Sequence, residues 1–249
     1  MYRFFVEQNQ ILVENHRAVI IGEDVNHIKN VLRMKPGEEI SLVVSGCDKE
    51  YRCGISQYTE DVVECELLFI KDSNSELPCE VTLYQALPKS DKMELIIQKA
   101  VELGVSRIVP VATKRAVVKL DNTKEEKKIA RWNAISEAAA KQSKRGVIPK
   151  VSSVMTFAKA VEDAKSCECR LIPYELSDSG GMDTTRKLIG SIKPGDRVAI
   201  FIGPEGGFAD EEIEIARKAE VEPITLGRRI LRTETAGMVV LSWLGFVLE

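Results

Sequence analysis

Residues Gly203–Gly207 read Gly-Pro-Glu-Gly-Gly and follow directly on a run of buried-strand character, Arg197–Ile202. Three glycines in five positions let a backbone take positive φ and approach a ligand closely. A helix pattern comes next, with Asp210, Glu211 and Glu212 in its first turn and Ile213, Ala216 and Arg217 behind them. A second glycine turn, at Gly227, follows a short strand expected over Ile224–Leu226. The stretch closes on Arg232, Thr233 and Glu234, with Thr233 a candidate N-cap for a last apolar helix. Glycine loops at the C-terminal ends of neighbouring strands are where open α/β sheets bind ligands. Three readings compete for the first loop: a tight connection with no ligand, a phosphate cradle, or a site for a ligand of low negative charge. The phosphate reading fits poorly. Neither phosphate-binding glycine spacing is present, Pro204 has no N–H to donate, and Glu205 places an anion where a phosphate would sit.

Other chemistry has little material. The two histidines, His16 and His27, lie near the N-terminus and are not spaced as metal ligands, so no metal is expected. A serine–histidine–aspartate triad is equally unsupported. The six cysteines, Cys47, Cys53, Cys65, Cys79, Cys167 and Cys169, form no Cys-x-x-Cys pair and mostly sit in strand-like runs, which favours reduced thiols in a cytoplasmic protein. No signal peptide is evident, and the most apolar stretch, Ala236–Leu248, is too short to span a bilayer. Net charge is −3, yet Thr113–Lys150 carries eleven Lys and Arg against four Asp and Glu. A basic block in an acidic chain is the footprint of a polyanion-binding face. It is also compatible with a solvated helix laced by charge pairs.

The elements that must position these residues fall into two groups. Short strands are expected at Tyr2–Val6, His16–Gly22, Glu38–Val44, Tyr51–Tyr58 and Val62–Ile70. One helix interrupts them, capped by Asp24 and turning Ile28, Val31 and Leu32 inward. This is the make-up of a small β-barrel. Lys71–Cys79 is polar and ends in Pro-Cys, as a flexible linker does, and the boundary is placed to give domains 1–72 and 73–249. Beyond it strands and helices alternate. Strands are expected at Val81–Leu87, Arg107–Val111, Arg170–Tyr174, Arg197–Ile202 and Ile224–Leu226. A helix capped by Asp91 with Glu94 in a capping box buries Met93, Ile96, Ile97, Ala100 and Val101 and stops at Gly104. A second box, Thr123–Glu126, opens a long helix to about Lys141 that turns Ile129, Trp132, Ile135 and Ala139 inward, and Phe157–Ala164 forms another. The alternation specifies a mostly parallel sheet covered on both faces. Connectivity rules alone give an ordinary doubly wound sheet.

The motifs GPEGGF at Gly203–Phe208 and LGRRILRTETA at Leu226–Ala236 together resemble the C-terminal signature of SPOUT-class RNA methyltransferases. Within that class the chain is similar to the 16S ribosomal RNA uracil-N3 methyltransferase family. Further similar pieces are MYRFF at the start, HIKNVLRMKPG at His27–Gly37, KMELIIQKAVELGV at Lys92–Val105 and EAAAKQSKR at Glu137–Arg145, so the resemblance spans nearly the whole chain. It implies a SPOUT-type knotted, mostly parallel sheet with a C-terminal trefoil knot, preceded by an N-terminal PUA-like RNA-binding β-barrel.

The implied reaction is methyl transfer from S-adenosyl-L-methionine to uracil N3 in 16S rRNA of the small ribosomal subunit. The sulfonium activates the methyl group, so the protein aligns reactants and excludes water. The resemblance points to Leu176, Gly203, Pro204, Glu205, Gly206, Gly207, Leu226, Gly227, Ile230, Leu231 and Thr233 as cofactor-binding. Arg232 and Glu234 are the catalytic candidates, with Glu205 the alternative carboxylate. One takes the N3 proton or steadies the uracil anion. A mutual Arg232–Glu234 pair that merely fixes the loop is the competing reading. Expected RNA contacts are Arg3, Arg33, Lys35, Lys89, Lys92, Gln142, Lys144 and Arg145. Ala236–Leu248 is apolar nearly all round and must be buried, in the core or against a second subunit. SPOUT enzymes pair through the knotted domain, so the resemblance implies a homodimer. The rival functions are a non-enzymatic RNA-binding or ribosome-assembly factor that keeps a ligand site, and a transferase using another nucleotide.

Overall fold

A computed structural model describes residues 1–118, 122–174 and 181–249, and Asn122 by its backbone only. It divides into two compact units, 1–76 with 140–148, and 77–139 with 149–249.

In the first unit the strands are β1 (Arg3–Phe5), β2 (Ile11–Leu12), β3 (Arg17–Ile21), β4 (Glu39–Val43), β5 (Lys49–Tyr58) and β6 (Val62–Asp72). They form one sheet in the order β1-β4-β5-β6-β3-β2, antiparallel except for the β1–β4 pair. Alternation drives it. Phe4, Ile11, Ala18, Ile20, Ile40, Leu42, Tyr51, Cys53, Ile55, Val63 and Cys65 all enter a single core, so every strand curls round one cluster. The intervening helix is α1 (Glu23–Asn26), and it runs on as a π-helical turn over His27–Val31. Gly22, not Asp24, is its N-cap. The wider π turn carries Val31 out of register with Ile28: Ile28 is buried, while Val31 is 60 % exposed. Lys71–Cys79 is not a loose linker. Ser73 N–H donates to Asp48 O at 2.7 Å, and Ser75 and Glu76 accept from Gly146 N–H at 3.0 and 2.8 Å.

The second unit holds β7 (Glu80–Ala86), α2 (Lys92–Glu102), β8 (Arg107–Ala112), α3 (Asn122–Gln142), β9 (Lys150–Val151), β10 (Met155–Thr156) and α4 (Phe157–Asp163), with Ala140–Gln142 of α3 in the first unit. They are followed by β11 (Cys169–Pro173), α5 (Gly181–Ser191), β12 (Arg197–Ile202), α6 (Asp210–Lys218), β13 (Glu222–Ile224) and α7 (Thr233–Leu248). The strands lie β10-β8-β7-β12-β11-β13, with β9 also on β8, and every pair is parallel. β7 and β12 are central, and every residue from Leu83 to Ala86 and from Val198 to Ile202 is buried, as in strands covered on both faces. Tyr84 stacks on Phe201 at 4.6 Å between ring centres, and Phe157 and Phe208 extend the cluster.

Several local expectations change here. The Asp91 side chain does not cap α2, and Glu94 pairs with Arg131 at 2.7 Å instead of closing a box. Thr123 lies inside α3, which begins at Asn122, and Glu125 accepts from Val154 N–H at 2.8 Å. The last strand is Glu222–Ile224, so Thr225 and Leu226 already belong to the loop. Helix α5 is not among the expected elements although it is as amphipathic as α2, whereas the two-residue strands β9 and β10 carry too little pattern to stand out in the sequence.

Candidate active site

The chain leaves β12 at Ile202 and turns at once, with Gly207 N–H donating to Pro204 O at 2.9 Å. Of the three glycines in this loop only Gly207 has positive φ, at 66°. Gly203 is needed for space: a Cβ there would stand 3.1 Å from the Phe208 ring. At Gly206 a Cβ would meet Arg115 at an ordinary 3.5 Å, and at Gly207 it would meet nothing within 4 Å. The loop continues into α6, whose Glu212 is buried and accepts from Ala209 N–H and Lys114 N–H at 2.8 and 2.9 Å. That carboxylate ties the loop after β8 to the start of α6.

The second loop leaves β13 and reaches Gly227, which has φ 103° and open space where a Cβ would stand. Thr225 Oγ1 accepts from Gly227 N–H at 3.3 Å. Thr185 on α5 holds Thr225 through its backbone N–H and carbonyl, at 3.1 and 3.3 Å. Leu226 and Leu231 are half-buried and Ile230 is 82 % exposed, an apolar edge rising from the loop. Arg232, not Thr233, is the N-cap of α7, and its carbonyl accepts from Thr235 and Ala236 N–H. Thr233 is the first helical residue. Its hydroxyl donates to Gly203 O at 2.7 Å and so joins the two glycine loops. Leu176 lies outside the described residues.

Charge converges on the same place. Glu205 Oε1 accepts from Lys89 N–H and from Lys92 Nζ, each at 3.1 Å, and Lys92 Nζ lies 3.4 Å from Glu234 Oε2. Burial pushes the Glu205 carboxyl up, but backbone donors and Lys92 outweigh it and hold the group below its ordinary range. The hydrogen bond to Glu205 raises Lys92. Glu234 Oε2 is buried and accepts no hydrogen bond among the described residues. The Arg232–Glu234 pair does not form. Glu234 faces Lys92, and Arg232 is exposed with no ion pair among the described residues.

The expected RNA residues separate into two classes. Arg33, Lys35, Lys89, Gln142 and Lys144 are exposed. In the first unit an ion pair between Lys141 and Asp24, at 3.2 Å, joins the end of α3 to α1, just before Arg33 and Lys35. Arg3 and Arg145 are not available to a phosphate. Arg3 is spent on buried Glu50 and on Lys144 O, and Arg145 on Glu76, with side chains 9 % and 3 % exposed. Lys92 is likewise held by two carboxylates.

Sequence reasoning overlooked Gln85, buried at the end of β7, and Arg115, whose Nη1 donates to Gly206 O at 3.2 Å. It also passed over Arg228 and Arg229, exposed on the second loop. A polar residue ending a buried strand was the signal for Gln85. Arg115 comes together with Gly206 only in the fold. A cavity of about 360 Å³ lies elsewhere, lined by Glu168, Arg170, Leu188, Asp196, Glu220 and Glu222. These residues cluster at the N-terminal ends of β11 and β13, away from the glycine loops. Its charged lining is four carboxylates against one cation, and we assign it no role.

Open backbone at Gly207 and Gly227, an exposed aliphatic edge, a Pro204 with no N–H to donate and the carboxylates of Glu205 and Glu234 suit an uncharged heterocycle on a cationic carrier better than a polyphosphate. Comparison with known proteins agrees. The RNA methyltransferase domain family matches residues 75–245, and the RNA methyltransferase PUA domain family matches residues 20–68. The ribosomal RNA small subunit methyltransferase E of Bacillus subtilis (strain 168) is 37 % identical over 253 residues, covering 100 % of this chain and 98 % of that protein. The enzyme of the same name from Neisseria gonorrhoeae, solved bound to S-adenosyl methionine, superposes with a TM-score of 0.81 at 29 % identity, covering 97 % and 95 % of the two chains. A Legionella pneumophila structure described with the bound cofactor superposes with a TM-score of 0.84 at 33 % identity over 98 % and 97 %.

Proposed function

This chain belongs to the RNA methyltransferase family, in the group of small-subunit ribosomal RNA methyltransferases E, and we propose that it methylates uracil N3 in 16S rRNA using S-adenosylmethionine. One observation carries the reading: Thr233 Oγ1 to Gly203 O at 2.7 Å brings the two glycine loops together at the C-terminal ends of β12 and β13. Bound there, the cofactor supplies a methyl group on a cationic sulfur with a neutral thioether as leaving group. Gly203–Gly207 and Leu226–Gly227 offer it backbone, and Ile230, Leu231 and Leu226 offer adenine an apolar wall.

The protein's own task is the N3 proton. Glu234 is the acceptor: its Oε2 is buried, accepts no hydrogen bond among the described residues and is held there by the ion pair with Lys92 at 3.4 Å. Glu205 is the poorer base, already occupied by Lys89 N–H and Lys92. Lys92 holds the two carboxylates in place. Arg232, exposed and unpaired among the described residues, steadies the uracil anion as N3 loses its proton. Glu234 takes the N3 proton as the methyl group is transferred to N3.

RNA contacts fall to Arg33, Lys35, Gln142 and Lys144 within the first unit and, separately, to Lys89, Arg228 and Arg229 within the second, all of them exposed. The target uracil must leave its stack, so a loop of folded RNA is the substrate, within the assembled subunit. We read residues 1–72 as the PUA-like module and 73–249 as the catalytic one, with a trefoil knot through the C-terminal loops. The protein acts as a homodimer in the cytoplasm, paired through the apolar face of α7. No helix among the described residues is long and apolar enough to cross a membrane, and none of their side chains cluster as a metal site.

Incubation with labelled S-adenosylmethionine and either free 16S rRNA or assembled small subunits tests this reading. Label in RNA from the assembled subunit is expected. Cofactor binding with no transfer to either substrate would favour a binding factor.

A further inference from the structure

The side chain of Gln85 is fully buried at the end of β7. Its Nε2 donates to Ala86 O at 3.1 Å and to Thr233 Oγ1 at 2.9 Å. A threonine hydroxyl has one proton to give, and that of Thr233 goes to Gly203 O at 2.7 Å. The direction of the chain is therefore fixed: amide to hydroxyl, hydroxyl to carbonyl. It links three segments, the end of β7, the first glycine of one loop and the first residue of α7.

We propose that Gln85 is a positioning residue for S-adenosylmethionine, acting through Thr233 to hold the Gly203 carbonyl and the closure of the two loops. The proposal rests on reading those loops as the cofactor site. Gln85 Oε1 is buried with no partner among the described residues, which is unfavourable in itself. A residue needed only to fill the space would serve better as Met or Leu, so the contribution of the amide lies in its donor. With that donor removed, Thr233 is released to rotate, and Gly203 loses the hydrogen bond that fixes its carbonyl. A buried hydrogen-bonded chain of this kind orients a binding group with little freedom.

The test is calorimetric titration of S-adenosylmethionine into the full-length protein, wild type against Gln85→Met, Thr233→Val, the double variant and Thr233→Ser. Gln85→Met and Thr233→Val are each expected to weaken binding by about tenfold or more. The double variant is expected to bind no worse than the weaker single one, because both substitutions cut the same chain. Thr233→Ser, which keeps the hydroxyl, recovers what Thr233→Val loses. Wild-type affinity in Gln85→Met, or two losses that multiply in the double variant, would overturn the proposal. If Gln85→Met does not fold, Thr233→Val against Thr233→Ser decides it from the other end of the chain. A wild-type protein that binds no S-adenosylmethionine would instead sink the site reading.

Discussion

Glu205 and Glu234 share Lys92 but differ in what else they hold, and that difference is the ground for the roles proposed for them. Glu234→Gln removes the proposed proton acceptor and should lower kcat by roughly 10²–10⁴-fold with cofactor affinity little changed. Arg232→Ala should cost about 10²–10³ in kcat, and near-normal turnover in a folded variant would remove it from the chemistry. Glycine at 206 separates ligand from fold. Its would-be Cβ meets Arg115 at an ordinary 3.5 Å, so Gly206→Val should fold with an unchanged circular-dichroism melt and fail to bind S-adenosylmethionine in calorimetry. The clamp also has a pH window. Glu205 is held below its ordinary 4.5, so its contribution is present above that value and is lost as pH falls through the lower folded one. Lys92 is raised above 10.5, so its share is present below that value and lost only beyond it. Cofactor affinity should stay flat between about pH 6 and 9; a titration centred inside that range would contradict the pairing. The glycine spacing and the Arg-Thr-Glu run exposed most of these residues in sequence. The Lys92 bridge was not legible, because it joins residues more than a hundred positions apart.

At the scale of elements, strand runs and the glycine stop of α2 were readable because local pattern and burial agree. The caps misled. Asp91 has the right residue type and spacing, yet Arg131 claims the Glu94 carboxylate that would close its box, and Thr123 already lies inside α3, which begins at Asn122. The π turn after α1 is another case, since an extra residue in one turn rotates Val31 out of the apolar face. Helix α7 reads as apolar all round, but in the single chain only one side is covered. Val240, Leu241 and Leu244 are buried, while Phe246 is 90 % exposed and Val247 45 % exposed. An apolar face this open on a terminal helix fits a protomer interface. Phe246→Lys should leave the thermal melt nearly unchanged and shift the solution mass by light scattering from dimer toward monomer. A monomeric wild type would refute the assignment.

At the scale of the molecule, hydrophobic alternation identified an N-terminal β unit and a C-terminal parallel α/β unit. It gave no sign that 140–148 returns to the first unit, because Arg145–Glu76 and Arg3–Lys144 are pairings across long sequence distance. The same pairings withdraw Arg3 and Arg145 from the RNA surface, which sequence reads only as basic residues. The central claim is that the joined glycine loops deliver a methyl group to N3 of a uracil. The most direct measurement is digestion of small-subunit RNA methylated by the purified protein, with mass-spectrometric identification of the labelled nucleoside. The account predicts N3-methyluridine as the labelled product, absent with Glu234→Gln over the same interval. Label in any other nucleoside, or at a ribose hydroxyl, would contradict it.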